Sequence, residues 1–185
     1  MKNKFIDAEF WSLTTGGAFQ RANVYRKDLP DKGLENKKKE FKSRLREIVA
    51  EITTQYVNGN IDDEQHIENI RKIIKDSVSD ILNDGKLKFG VAQKLLNLHL
   101  KYEWCRDKIP EPPHCPVDRV VLTEYDKMHV SSWTKMDSEE EYRTHINHLR
   151  TKFHTPVRSL AMWELEMFSR RFEKEVKSVK RKSLC

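Results

Sequence analysis

The run Gly90-Val91-Ala92-Gln93-Lys94-Leu95-Leu96-Asn97-Leu98-His99-Leu100-Lys101-Tyr102-Glu103-Trp104 decides the fold class. Val91, Ala92, Leu95, Leu96, Leu98, Leu100 and Tyr102 cover most of the circumference of a helix. A helix apolar nearly all round lies at the centre of a domain, so other helices must pack around it. Upstream, Asp62 with Gln65 reads as a capping box, opening a helix with Ile67, Ile70, Ile74, Val78 and Ile81 on one face and a stop at Asn83-Asp84-Gly85. Before that, Phe41, Leu45, Ile48, Ile52 and Tyr56 recur at threes and fours from about Leu34, one stripe of a 3.6-residue period, and Asn58-Gly59-Asn60 ends it.

Downstream, the prolines of Ile109-Pro110-Glu111-Pro112-Pro113-His114-Cys115-Pro116 dictate an extended loop. A short helix follows near Val117-Asp118. Ser138 with Glu141 caps a helix carrying Tyr142, Ile146 and Leu149, and Pro156 and Ser159 precede a last one with Leu160, Trp163 and Met167. Residues 1–33 show no sustained period. Gly16-Gly17 and Pro30-Asp31-Lys32-Gly33 read as turns, and Phe5, Phe10, Trp11, Phe19 and Tyr25 make this an aromatic-rich, loop-like arm expected to wrap the domain. With β-branched alternation absent, the chain reads as one all-α, compact multi-helix domain over 1–185, with a hairpin and aspartate region at 64–125 and a basic tail at 174–185.

Length and composition narrow the classes of function. The chain has 185 residues, long enough to bury a core without disulfide or metal staples. No stretch approaches the roughly 20 apolar residues of a membrane span, and no apolar run follows the charges of Met1-Lys2-Asn3-Lys4-Phe5, so neither a membrane nor a secretory signal is expected. Cys105, Cys115 and Cys185 match no disulfide framework, which points to a reducing cytoplasm. No paired spacing of His114-Cys115 with His99 or His129 supports zinc, and no metal or other cofactor is expected. A net charge of +6 is mild, but it is unevenly placed: +4 over 1–60, −4 over 61–85, +3 over 86–119, −2 over 120–150 and +5 over 151–185.

The middle basic block carries the candidate chemistry. In Asp84-Gly85-Lys86-Leu87-Lys88-Phe89-Gly90-Val91-Ala92-Gln93-Lys94, a turn opens the central helix. Gly90 admits close approach, the first N–H groups of a helix favour an anion, and Lys86 and Lys88 add positive charge; the same lysines also suit a solvated turn. Asp118 follows Pro116-Val117 and opens a helix. It is a good N-cap, and equally a carboxylate placed to stabilise a cationic sugar or to deprotonate a nucleophile. Lys94 either snorkels to solvent or is held as a neutral amine by apolar surroundings, able to attack a sugar C1′ as a Schiff-base nucleophile.

Together, Phe89-Gly90-Val91-Ala92-Gln93-Lys94 and the following Pro116-Val117-Asp118 resemble the helix–hairpin–helix DNA glycosylases that carry a Gly/Pro-rich loop and a catalytic Asp. Lys94 matches the lysine that forms the Schiff base in bifunctional members, Asp118 the shared catalytic carboxylate, and Gly90 the first hairpin glycine. Ala92 stands where a second glycine is usual, and Arg119 where a small hydroxyl residue is common. The Lys–Asp interval is longer than usual, and the four-cysteine iron–sulfur motif of some relatives is absent.

The resemblance implies a monomeric, DNA-binding enzyme that excises a damaged or modified base, in repair or against phage DNA. Lys86, Lys88, Gly90, Gln93 and Arg119 would hold the DNA. Trp11, Trp163 and Glu164 would line the pocket for an extruded base, although the tryptophans also suit a core and Glu164 a solvated helix face. The same features suit a non-enzymatic helical module that binds DNA or another protein.

Overall fold

The computed structural model describes residues 1–59, 61–125 and 132–169. Asn60, part of the expected helix stop, His129, the basic tail 174–185 and Cys185 lie outside these. Among the described residues seven helices form: α1 (Lys2–Phe19), α2 (Leu34–Thr54), α3 (Asp63–Asp76), α4 (Phe89–Trp104), α5 (Arg119–Tyr125), α6 (Glu139–Phe153) and α7 (160–169). Among the described residues no sheet forms, and only isolated bridges pair Tyr25 with Leu82 and Thr155 with Arg158. The chain is all-α.

The central helix is α4. Phe89, Val91, Ala92, Leu95, Leu96 and Leu100 are all buried, each larger side chain worth about 1.5–3 kcal/mol in burial. Helix α1 packs along α4 most extensively, α3 and α6 contact it further, α2 packs on α3, and α5 on α6. Caps sit where side-chain chemistry places them. Asp62 accepts from the Gln65 N–H at 2.8 Å, Ser138 from Glu141 at 3.1 Å and Ser159 from Met162 at 3.0 Å.

Three expectations are corrected. The N-terminal arm is not loop-like: Lys2–Phe19 is helical, and Gly16 and Gly17 lie inside the helix. Its buried residues are Trp11, Thr14, Thr15, Ala18 and Phe19, so between its two aromatics small and polar residues occupy the stripe that apolar ones normally mark. Thr15 returns its hydroxyl to Trp11 O at 3.0 Å, and a Cβ on Gly17 would lie 2.6 Å from Leu98 Cδ2, so α1 meets the Leu98 side chain of α4 at this glycine.

Helix α3 ends at Asp76 and leaves Val78 exposed. The stop is Ser77, whose hydroxyl donates to Ile74 O at 2.8 Å and accepts from Leu87 N at 2.9 Å, diverting the chain into a turn closed by Ser79 N to Gly85 O at 2.8 Å. The link from α3 to α4 is therefore an ordered 77–88 segment that buries Ile81, Leu82 and Leu87, not a tight hairpin.

Candidate functional site

Asp118 sits where the Pro-rich loop meets α5. Its Oδ1 accepts from Val120 N at 2.9 Å and Val121 N at 3.1 Å, which makes it the N-cap. Its Oδ2 faces the other way and accepts from Lys94 Nζ at 3.0 Å. Lys94 lies in the first half of α4, its ammonium 4.3 Å from the centre of the Trp133 ring. The two side chains are 12% and 23% exposed, so the pair is partly desolvated yet open to a ligand. The amine is thus paired with a carboxylate and an aromatic face, not isolated in apolar surroundings.

Lys94 and Asp118 line one end of a slot of about 230 Å³. Lys101 and Glu164, 2.7 Å apart, line it too. Lys94, Leu98 and Lys101 are spaced by four and three, so they share one face of α4; from Lys94 to Lys101 the helix rises about 10 Å. Leu98 and Gly17 lie between the two polar ends, with Pro116, Val121 and Phe168 also at the walls. Lys101 and Glu164 side chains are only 10% and 7% exposed. Burial raises the Glu164 carboxyl above the usual carboxylate range, reinforced by Asp118 and opposed by Lys101 and Lys94. The slot is an apolar trough with an ion pair at each end.

No family model, curated protein or solved structure matches the chain. The site therefore has to be read from its own geometry.

The structure brings Lys94, Asp118 and Glu164 together and separates them from the other residues named above. Gly90 is not a free anion cradle. Its N–H donates to Met136 O at 2.9 Å, and a Cβ there would fall 1.8 Å from Trp133 O; the glycine admits the 132–136 segment, which occupies the place a phosphate would take. Gln93 is fully buried, and its amide bonds Val117 and Gly90, so it cannot reach DNA. Trp11 is buried edge-on against His99 at 6.1 Å. Trp163 is buried and stacked on Phe153 at 4.1 Å. Both are core residues and neither lines the slot.

Lys86 and Arg119 are exposed, and Lys88 lies 3.6 Å from Asp84. Lys86 and Lys88 join Arg21 and Lys135 around a second recess of about 230 Å³, beside the start of α4. Val91 lines that recess and Lys94 the slot, so the two hollows follow one another along α4. Among the described residues, no three His, Cys, Asp or Glu side chains gather as a metal site.

Lys101, Arg21 and Lys135 escape a reading of the sequence alone. Lys101 had a usable signal, a second lysine seven residues after Lys94 on the same apolar helix. Arg21 and Lys135 had none, because they arrive from distant segments.

Proposed function

We propose that this chain is a DNA glycosylase. The observation that carries the reading is the Lys94–Asp118 pair, 3.0 Å apart at one end of an apolar slot whose other end carries Lys101 and Glu164. A base drawn out of the duplex lies along the trough between the two pairs, its glycosidic bond at Lys94 and Asp118 and its polar edge at Lys101 and Glu164. Two backbone N–H groups fix Asp118 through Oδ1, which leaves Oδ2 turned to the slot, where it faces a developing oxocarbenium. For lyase activity Lys94 Nζ passes a proton to Asp118 Oδ2, 3.0 Å away, and the freed amine bonds C1′ as the C1′–base bond breaks; the departing base takes the proton from Asp118, and the C1′ amine adduct loses a proton as the sugar ring opens to the Schiff base. Arg21, Lys86, Lys88 and Lys135 contact backbone phosphates from the adjoining recess, a role that does not need the covered Gly90 N–H.

The test is cleavage of duplexes carrying modified bases by wild type, Asp118→Asn and Lys94→Ala. Borohydride reduction is expected to trap a covalent adduct with wild type and none with Lys94→Ala. Base release without any adduct assigns a monofunctional enzyme. The basic recess, separate from the slot, also favours a DNA-binding module without catalysis; that reading predicts salt-dependent binding, no base release and indifference to Asp118→Asn.

A further inference from the structure

Asp118 hangs on backbone without regular structure. The connection from α4 to α5 contains four prolines between Pro110 and Pro116, which remove backbone donors and prevent the loop from bonding itself into place. Val117, the residue before Asp118, is instead gripped at both polar groups by one side chain. Gln93 Oε1 accepts from Val117 N at 3.1 Å, and Gln93 Nε2 donates to Val117 O at 2.6 Å and to Gly90 O at 2.9 Å. The next residue on α4 is Lys94, the partner of Asp118. Two neighbouring residues of one helix thus hold the loop backbone and meet its carboxylate.

The grip is itself held. Asn97 Nδ2 donates to Gln93 Oε1 at 3.1 Å and to Tyr142 OH at 3.0 Å. Gln93 thereby uses both amide hydrogens and accepts twice through Oε1. Tyr142, having accepted from Asn97, gives its own proton to His114 Nδ1 at 2.8 Å. His114 then carries its hydrogen on Nε2 and donates to Asp63 Oδ1 at 3.1 Å, and Arg150 clamps both oxygens of Asp63. Gln93, Asn97 and Tyr142 are fully buried and His114 nearly so. The chain of bonds starts at Val117, crosses α4 and α6, and returns to the same loop at His114. Asn97 Oδ1 is the one polar side-chain atom of Gln93, Asn97, Tyr142 and His114 left without a hydrogen bond among the described residues, and a buried network so nearly complete fixes one arrangement, where apolar packing would tolerate several.

We infer that Gln93, with Asn97, Tyr142 and His114 behind it, is the positioning device that sets Asp118 against Lys94. It rests on the glycosylase reading for its consequence in rate, but not for its geometry. A displacement near 1 Å at a reacting group costs on the order of 10²-fold in rate.

The experiment pairs a crystal structure with kinetics. In Gln93→Met, similar in length but unable to bond Val117, the Lys94–Asp118 pair is expected to open, and kcat for base release to fall by about 10²-fold with little change in KM. In the Asp118→Asn background the same substitution is expected to cost almost nothing more, because it acts through Asp118. Val49→Ala, in the core of α2 away from the network, lowers the melting temperature and leaves the pair closed. If Gln93→Met does not fold, Tyr142→Phe, which keeps its ring against Phe89, is read in the same way. A pair still closed at 3.0 Å in the variant, or losses that add to those of Asp118→Asn, overturns the inference. Absence of base release by wild type overturns the glycosylase reading alone, and the variant's Lys94–Asp118 separation then decides the positioning claim.

Discussion

At the scale of single residues, two Lys–carboxylate pairs share the slot but differ in cost. Lys94–Asp118 stays in touch with solvent, whereas Lys101–Glu164 is almost fully enclosed. Enclosing two charges recovers little free energy, but removing one of them strands the other. Lys101→Met is therefore expected to destabilise the fold by about 3 kcal/mol, and the double replacement Lys101→Met/Glu164→Leu to recover most of that loss, both measured by urea denaturation. A second double-variant loss as large as the single would show that Lys101 acts by packing and not by pairing.

Acid sensitivity is also set residue by residue. Burial lowers His66, His114 and His99 below the usual histidine range, His99 to about 4. Below about pH 6.5 the unfolded chain binds protons that the folded histidines refuse, so stability falls as pH drops. Asp63, held down first by Arg150 and then by His114, adds a second loss. Its contribution is complete above the ordinary Asp range near 4 and disappears as pH falls through its lower folded value. Urea midpoints from pH 8 to pH 3 are expected to fall in these two stages, with Asp63→Asn flattening the second and steepening the first, because Asp63 supports the protonated forms of His114 and His66 against burial.

At the scale of elements, glycine separates two kinds of helix position. Gly16 lies in α1 with nothing near its missing Cβ, while Gly90 lies under Trp133 O. Gly16→Ala is expected to stabilise by up to about 1 kcal/mol through helix propensity. Gly90→Ala is expected to destabilise by about 1–3 kcal/mol by forcing 132–136 off α4, despite the same propensity gain. Equal effects in thermal denaturation would remove the special role of Gly90. The elements also show what could be read beforehand. The α2 and α4 patterns and the caps at Asp62 and Ser138 were legible because apolar spacing and capping chemistry are local. Helix α1 was not, since two threonines and an alanine fill its buried stripe between Trp11 and Phe19. The end of α3 was not, since Ser77 becomes a stop only through its bond to Leu87.

Across the whole molecule, the residues that make the slot come from α1, α4, the Pro-rich loop, α5 and α7, and the recess beside it draws on Arg21 and Lys135 from further segments. A linear reading could pair Lys94 with Asp118 by resemblance, yet it assigned Gly90 and Gln93 to DNA because burial is a property of the assembled fold. The mild net charge likewise says less than the gathering of Arg21, Lys86, Lys88 and Lys135 around one hollow. If these cations meet phosphates, Lys86→Ser and Lys135→Ser are each expected to reduce the slope of log affinity against log salt by roughly 1, whereas a solvated patch would leave it unchanged.

If Asp118, at the mouth of this slot, stabilises the cleavage of a glycosidic bond, single-turnover release of free base from duplexes carrying a panel of damaged and hypermodified bases measures it most directly, with wild type and Asp118→Asn compared. Release by wild type from at least one duplex is expected, slowed by about 10²- to 10⁴-fold in Asp118→Asn with DNA affinity retained. No release from any duplex, or equal rates for the two proteins, would contradict it.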